Sequence, residues 1–140
     1  MSIYIVDASV AAKWFIKEEH HEVALSLFKE GNELHTPDFL FLEMDNILCK
    51  WIRRGIITDK ESGNIRKALR QYPIQIHPFS LLLDSAYVIA NQMQRSVYDC
   101  LYVALAALLE GQMVTADRRL YNGLADGPFA KSVVWIRNIS

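Results

Sequence analysis

The chain has 140 residues, of which 51% are hydrophobic and 22% charged, and its formal net charge is −1. Such a chain is long enough to bury a real core as one globular domain over residues 1–140. The near-neutral charge excludes a broadly basic nucleic-acid surface, although a local basic rim around an acidic cleft stays open. Cys49 and Cys100 form no CxxC pair, so a zinc ribbon or thioredoxin-like motif is excluded, and both read as reduced, buried thiols of a cytoplasmic protein. The start lacks the basic stretch of a secretory signal. The longest charge-free apolar run, Cys100 to Leu109, is about half of the roughly 20 residues that a membrane span needs, so no membrane association is expected.

The chain opens with Ile3-Tyr4-Ile5-Val6, an apolar run without alternation that stops at Asp7. A strand apolar on both faces belongs inside a parallel sheet covered by helices, and ligands of such sheets bind beyond the carboxyl ends of the strands. Asp7 is therefore either a cap of the following helix or a residue facing a crevice. Val10 to Glu19 reads as a helix, with Val10, Ala11, Trp14 and Phe15 on one face. Glu18 to His21 is a polar break whose two histidines are read as solvated surface. His21 to Glu30 is a second helix, ended by Gly31.

Glu33 to Thr36 is strand-like, and Pro37 introduces a long helix, Asp38 to Arg54. Glu43 lies among the apolar residues of that helix, with Asn46 and Ile47 on its face. A buried acid there costs several kcal/mol unless it is paired or metal-bound. Asp45 points away and reads as surface. Thr58 opens the next helix, to Gln71, with Glu61 at capping-box spacing. Ile74 to His77 is a strand, and Ser80 to Gln94 a helix. Asp99 to Glu110 is apolar nearly all round and should be central, with Asp99 in its first turn and Gly111 at its end. Gln112 to Thr115 is a strand followed by Asp117, which repeats the opening pattern of strand, acid and helix (Arg118 to Ala125). Ser132 to Ile136 is a last strand.

The order β-α-α-β-α-α-β-α-α-β-α-β predicts a three-layer α/β/α fold around a parallel sheet of four to five strands. Asp7, Glu43, Asp99 and Asp117 stand out by position. If all four face one crevice, they cannot stay ionised unaided, so cations must bind or protons must be taken up. Oxygen-only ligands favour Mg²⁺ or Mn²⁺ over zinc. The chemistry that follows is metal-assisted phosphodiester hydrolysis, in which a second ion, if present, sits about 4 Å from the first.

These residues also carry a resemblance. Ile5-Val6-Asp7-Ala8-Ser9, Leu42-Glu43-Met44-Asp45-Asn46-Ile47-Leu48, Tyr98 to Ala106 and Val114 to Leu120 resemble the four acidic blocks of PIN-domain proteins, in order and across nearly the whole chain. The similarity extends to VapC-type toxins of toxin–antitoxin modules. It implies a Mg²⁺- or Mn²⁺-dependent endoribonuclease acting on single-stranded or structured RNA, a homodimer blocked by a cognate antitoxin. It implies that Asp7, Glu43, Asp99 and Asp117 are the acidic quartet that holds metal and carries catalysis. Ser9 and Thr115 match small hydroxyl positions that support the site, and Asn46 matches the asparagine after the family's glutamate. Asn122 stands near where some members place a further acid. Arg118 and Lys13 are candidate substrate contacts, with Arg119, Lys50, Arg53 and Arg54 nearby in sequence. Trp14, Phe15 and Trp51 are read as packing residues rather than base-stacking ones. Two other readings remain beside the nuclease. One is a non-catalytic module that keeps the PIN fold. The other is a phosphatase of the haloacid dehalogenase type, which would want an acid where Ser9 stands.

Overall fold

A computed structural model of the chain describes residues 1–139. Five strands form one parallel sheet: β1 (Ser2–Val6), β2 (Asn32–Pro37), β3 (Ile74–His77), β4 (Gln112–Thr115) and β5 (Val133–Trp135), in the order β3-β2-β1-β4-β5. The seven helices are α1 (Ala8–Lys13), α2 (His21–Leu25), α3 (Phe39–Arg53), α4 (Asp59–Gln71), α5 (Leu83–Met93), α6 (Val97–Leu109) and α7 (Arg118–Ala125). The element order is the one expected, and so is the parallel α/β/α architecture.

Strand order follows from hydropathy. Tyr4, Ile5 and Val6 of β1 are all buried, so β1 takes the central place that an apolar run on both faces requires. From β1 the chain steps outward to β2 and β3, then crosses back to β4 and β5. Right-handed crossovers place α1 to α4 on one face of the sheet and α5 to α7 on the other. The direction therefore reverses between β1 and β4, where the carboxyl ends of two neighbouring strands diverge into a crevice. The register pairs Val6 with Val114, so Asp7 and Thr115 emerge side by side at that point.

Helix α6 is the most deeply packed. Cys100 to Ala106 are buried without interruption, as its all-round apolar pattern predicts. Its N-cap is Ser96, whose hydroxyl accepts from the Asp99 backbone N–H, so the helix starts two residues earlier than expected and places Asp99 firmly in its first turn. The capping box of Thr58 and Glu61 is present at the start of α4. Among the described residues no helix is long and apolar enough to cross a membrane.

Several local expectations need correction. Helix α1 ends at Lys13, six residues short of Glu19, and the chain turns through Trp14, whose indole N–H donates to the Ala24 carbonyl across 2.9 Å. Helix α2 covers five residues and continues as a 3-10 turn, Ser26–Phe28. The segment after Pro78 is likewise a 3-10 turn, Phe79–Leu82, before α5 begins. The two histidines are not simply solvated. His21 Nδ1 meets the Lys13 carbonyl at 2.7 Å, and His20 stands edge-on to Trp135. Cys49 is exposed because it lies on the outer face of α3, whereas Cys100 is buried. Trp14 is buried against Phe28 and Tyr72, and Phe15 stacks on Tyr72.

Gly111 works differently from a helix-ending glycine. The left-handed residue at the end of α6 is Glu110, with φ of 55°. Gly111 instead makes room, because a Cβ there would stand 2.7 Å from both the Ile3 carbonyl oxygen and Ile3 Cγ2. Its missing side chain lets the chain enter β4 against β1. Gly111→Ala is therefore expected to destabilise the fold by about 1–3 kcal/mol in urea unfolding. Gly63→Ala, mid-helix in α4 with open space around the new methyl, is expected to stabilise it by up to about 1 kcal/mol.

Candidate active site

Asp7 is the first residue beyond β1 and the N-cap of α1. Its Oδ1 accepts from the Val10 backbone N–H at 3.0 Å and from the Ser9 hydroxyl at 2.6 Å. Asp117 repeats this arrangement after β4. It caps α7, and its Oδ1 accepts from the Leu120 N–H at 3.2 Å. In each carboxylate the cap engages Oδ1, which leaves Oδ2 for other work.

The two turns are tied together. Ser9 Oγ accepts from the Ala116 N–H at 3.0 Å and lies 3.4 Å from Thr115 Oγ1, and Thr115 Oγ1 accepts from the Asp117 N–H at 3.1 Å. Ser9 and Thr115 thus form a hydroxyl bridge between the two strand ends. They orient the loops that carry Asp7 and Asp117.

Glu43 reaches the same place from α3, and Asp99 from the first turn of α6. Tyr102, one turn after Asp99, donates its O–H to Glu43 Oε1 in a short hydrogen bond. A cavity of about 80 Å³ is lined by Asp7, Ala8, Ser9, Glu43, Asp99, Tyr102, Asp117 and Leu120. It is large enough to admit small water-sized groups. All four acids singled out in the sequence therefore line one small space. They do so without closing on a common centre, since among the described residues no group of three or more acid, histidine or cysteine side chains is gathered at metal-holding distance.

The electrostatics of the cavity follow from this packing. Burial pushes the Asp7 carboxyl up to about 6, with Asp117 adding to the rise, while Ser9, Thr115 and the Val10 N–H oppose it. Burial likewise pushes Glu43 up to about 7, opposed by the Tyr102 hydrogen bond and reinforced by Asp7 and Asp99. Asp99 is raised by burial and by Asp117, against the pull of Ser96 and Arg95. Buried acids that repel one another are the donor set a hard divalent cation satisfies, and neither histidine nor cysteine lines the cavity to favour a softer ion. The residues present fit such an ion.

Other expected site residues lie elsewhere. Asn46 is exposed and lines an adjoining groove with Phe39, Leu42, Glu43 and Tyr98, outside the acidic cavity. Asp45 is surface, as expected, and pairs with Arg66 at 2.8 Å. The Arg118 guanidinium lies 3.9 Å over the Trp135 ring. Lys13 is engaged with Glu18 at 3.0 Å. Asn122 is exposed. The sequence reading missed Tyr102, taken there as one more apolar residue of α6. The available signal was its position three residues after Asp99, on the same helical face.

Comparison with known proteins agrees with this fold. The sequence model of the PIN domain matches residues 4–123. Ribonuclease VapC3 of Pyrobaculum aerophilum is 35% identical over 118 residues, which cover 83% of this chain and 90% of the relative. Among solved structures, PAE2754 from Pyrobaculum aerophilum superposes with a TM-score of 0.68 at 23% identity, covering 97% of this chain and 85% of that one. A toxin-antitoxin complex from Klebsiella pneumoniae gives a TM-score of 0.63 at 14% identity, covering 99% of this chain and 100% of that one.

The raised carboxyls set a pH dependence of stability. An acid whose folded value lies above its unfolded one favours the folded state as long as it is protonated. The resulting penalty is absent below the unfolded value of 3.8, grows as pH rises towards about 6 for Asp7, and persists above. Metal-free protein is therefore expected to lose stability between pH 4 and pH 7, as Glu43 adds its share up to about 7. Asp7→Asn keeps the helix cap and removes the charge, so in EDTA at pH 8 it is expected to be more stable than the parent by about 3 kcal/mol, and no more stable at pH 4. Urea unfolding at the two pH values checks this.

Proposed function

Since this chain belongs to the PIN-domain family, we propose that it is a divalent-metal-dependent endoribonuclease and the toxin of a toxin–antitoxin pair. The observation that carries the reading is the meeting of Asp7, Glu43, Asp99 and Asp117 around one small cavity at the reversal point of the sheet. These four are the proposed catalytic and metal-holding residues. The proposed ion is Mg²⁺, with Mn²⁺ able to replace it. When bound, the ion supplies a water of lowered pKa and offsets charge growing on the phosphodiester oxygens.

The chain's own residues do the positioning. Asp7 lines the cavity while the Val10 N–H and the Ser9 hydroxyl hold its Oδ1, so the carboxylate cannot swing away. Asp117 is held in the same manner by its cap. Asp99 is fixed by the first turn of α6. Glu43 is oriented by the Tyr102 O–H, which favours its charged form against the burial that raises its carboxyl. We place the activity in one unit spanning the chain.

RNA as substrate is supported by the 35% identical relative, named a ribonuclease. An antitoxin as partner is supported by the fold shared with a toxin-antitoxin complex. A homodimer is supported by the exposed Leu42, Leu83 and Tyr98, which border a groove floored by Phe39 and Leu101. The phosphatase reading is disfavoured because Ser9, standing where it would want an acid, is bonded to Asp7. An inert module is disfavoured because it would carry the burial cost of Asp7 with no compensation.

Asp7→Asn and Asp99→Asn are each expected to lower RNA cleavage in Mg²⁺ on the order of a hundredfold to a thousandfold with the fold intact by circular dichroism. Full activity in both variants would refute the site. Millimolar Mg²⁺ at pH 8 is expected to raise the Tm of the parent, by the equivalent of about 2.7 kcal/mol at a hundredfold excess over Kd, and to do little for Asp7→Asn. Tyr102→Phe removes the donor that lowers the Glu43 carboxyl, so the acidic limb of the pH–rate profile is expected to move to higher pH. An unmoved limb would show that Tyr102 does not control the charge of Glu43.

A further inference from the structure

Arg95 lies outside the lining of the acidic cavity but within electrostatic reach of Asp99, which lines it. It immediately precedes Ser96, the N-cap of α6, and its charge is felt by Asp99, four residues on. Among the described residues no carboxylate oxygen lies within 4.0 Å of its guanidinium, while Lys13 and Arg66 are each engaged with an acid and Arg118 is laid over Trp135.

The fold has made a seat for this side chain. Leu120 of α7 lines the cavity, and Gly123 lies one turn further on the same helical face. The Arg95 guanidinium rests on the bare backbone of Gly123. A Cβ at that position would stand 1.8 Å from Nη2, 2.4 Å from Cζ and 2.6 Å from Nε. The whole planar group occupies the space a side chain would fill. The backbone beneath Arg95 is fixed as well: Gln94 takes the left-handed conformation that closes α5, and the Arg95 N–H donates to the Ala90 carbonyl at 3.1 Å. A half-buried guanidinium on an ordered turn loses little freedom when it binds.

The charge balance gives that arrangement a use. Four clustered acids repel a polyanion, and an ion held by them would serve the reacting phosphate. The neighbouring phosphates of the strand need a cation that is close to the cavity but not consumed by it. A guanidinium presents two parallel N–H groups to phosphate oxygens and stays charged at any working pH.

We infer that Arg95, seated on Gly123 beside Asp99, binds the RNA phosphate adjoining the one cleaved and so sets the strand across the acidic cavity. The assignment rests on the ribonuclease reading and adds to it a substrate-binding residue.

The test measures binding of a labelled pool of random-sequence single-stranded RNA, in Mg²⁺ and over a range of KCl, in an Asp7→Asn background to prevent cleavage. Arg95→Gln is expected to weaken binding about tenfold and to reduce the salt slope by about one. Arg95→Lys keeps the charge and is expected to keep the slope. Gly123→Ala keeps the arginine but removes its seat, and is expected to weaken binding in the same direction as Arg95→Gln. Tm values confirm that each variant is folded. An unchanged Kd and salt slope in Arg95→Gln would overturn the assignment, as would a loss of slope in Arg95→Lys equal to that in Arg95→Gln. If the parent chain cleaves the RNA pool while Arg95→Gln binds it unchanged, only the arginine assignment falls. If the parent neither binds nor cleaves the pool, both readings fall.

Discussion

A carboxylate buried at the end of the innermost strand is the constraint around which this molecule is built. Asp7 is 5% exposed, among groups that would otherwise favour its neutral form. Left alone, such a group would take up a proton or push the strand outward. Three donors near it work against this: the Val10 N–H, the Ser9 hydroxyl and the Thr115 hydroxyl. They hold the charge partly in place without cancelling it. Glu43 is treated in the same way by one donor, the Tyr102 O–H. The site is therefore both costly and rigid, and a bound divalent cation would relieve the cost.

The same groups serve the fold and the proposed chemistry. The Asp7 and Asp117 caps start two helices, and each uses one carboxylate oxygen for that purpose. The Ser9–Thr115 bridge joins the two diverging strand ends and also orients the acids that follow them. Helix α6, buried from Cys100 to Ala106, carries Asp99 and Tyr102 on one face and cannot rotate without exposing its core. Elements this well anchored hold a cluster of like charges that loops could not. A cluster of strained charges on a stable scaffold is the usual compromise between stability and activity.

Much of this was legible from local pattern. Apolar runs identified β1 and β4, and residues at helical spacing identified α3 and α6. The Thr58–Glu61 capping box and the acid-after-strand pattern at Asp7 and Asp117 were read correctly because each depends on groups a few residues apart. The errors were also local. The spacing of Val10, Trp14 and Phe15 suited a longer helix than α1, but Trp14 turned instead to bond Ala24, a contact no periodicity contains. Gly111 read as a helix stop, yet its role is close approach to Ile3, more than a hundred residues away.

What the sequence by itself determined was the order of elements, the central place of β1 and the identity of four acids at conspicuous positions. Those follow from side-chain periodicity and capping, which act within a turn or a strand. What only the tertiary structure decided was which side chains meet. The register of Val6 against Val114 sets Asp7 next to Thr115. The convergence of α3 and α6 at the crevice gives Glu43 its tyrosine donor, while Asn46, one turn from Glu43, is left outside the cavity. Arg118, next to Asp117 in sequence, is drawn to Trp135, and Arg95 is brought to Gly123. Each of these depends on crossover handedness, sheet register and side-chain packing between distant segments, and such long-range terms leave no local trace in the chain.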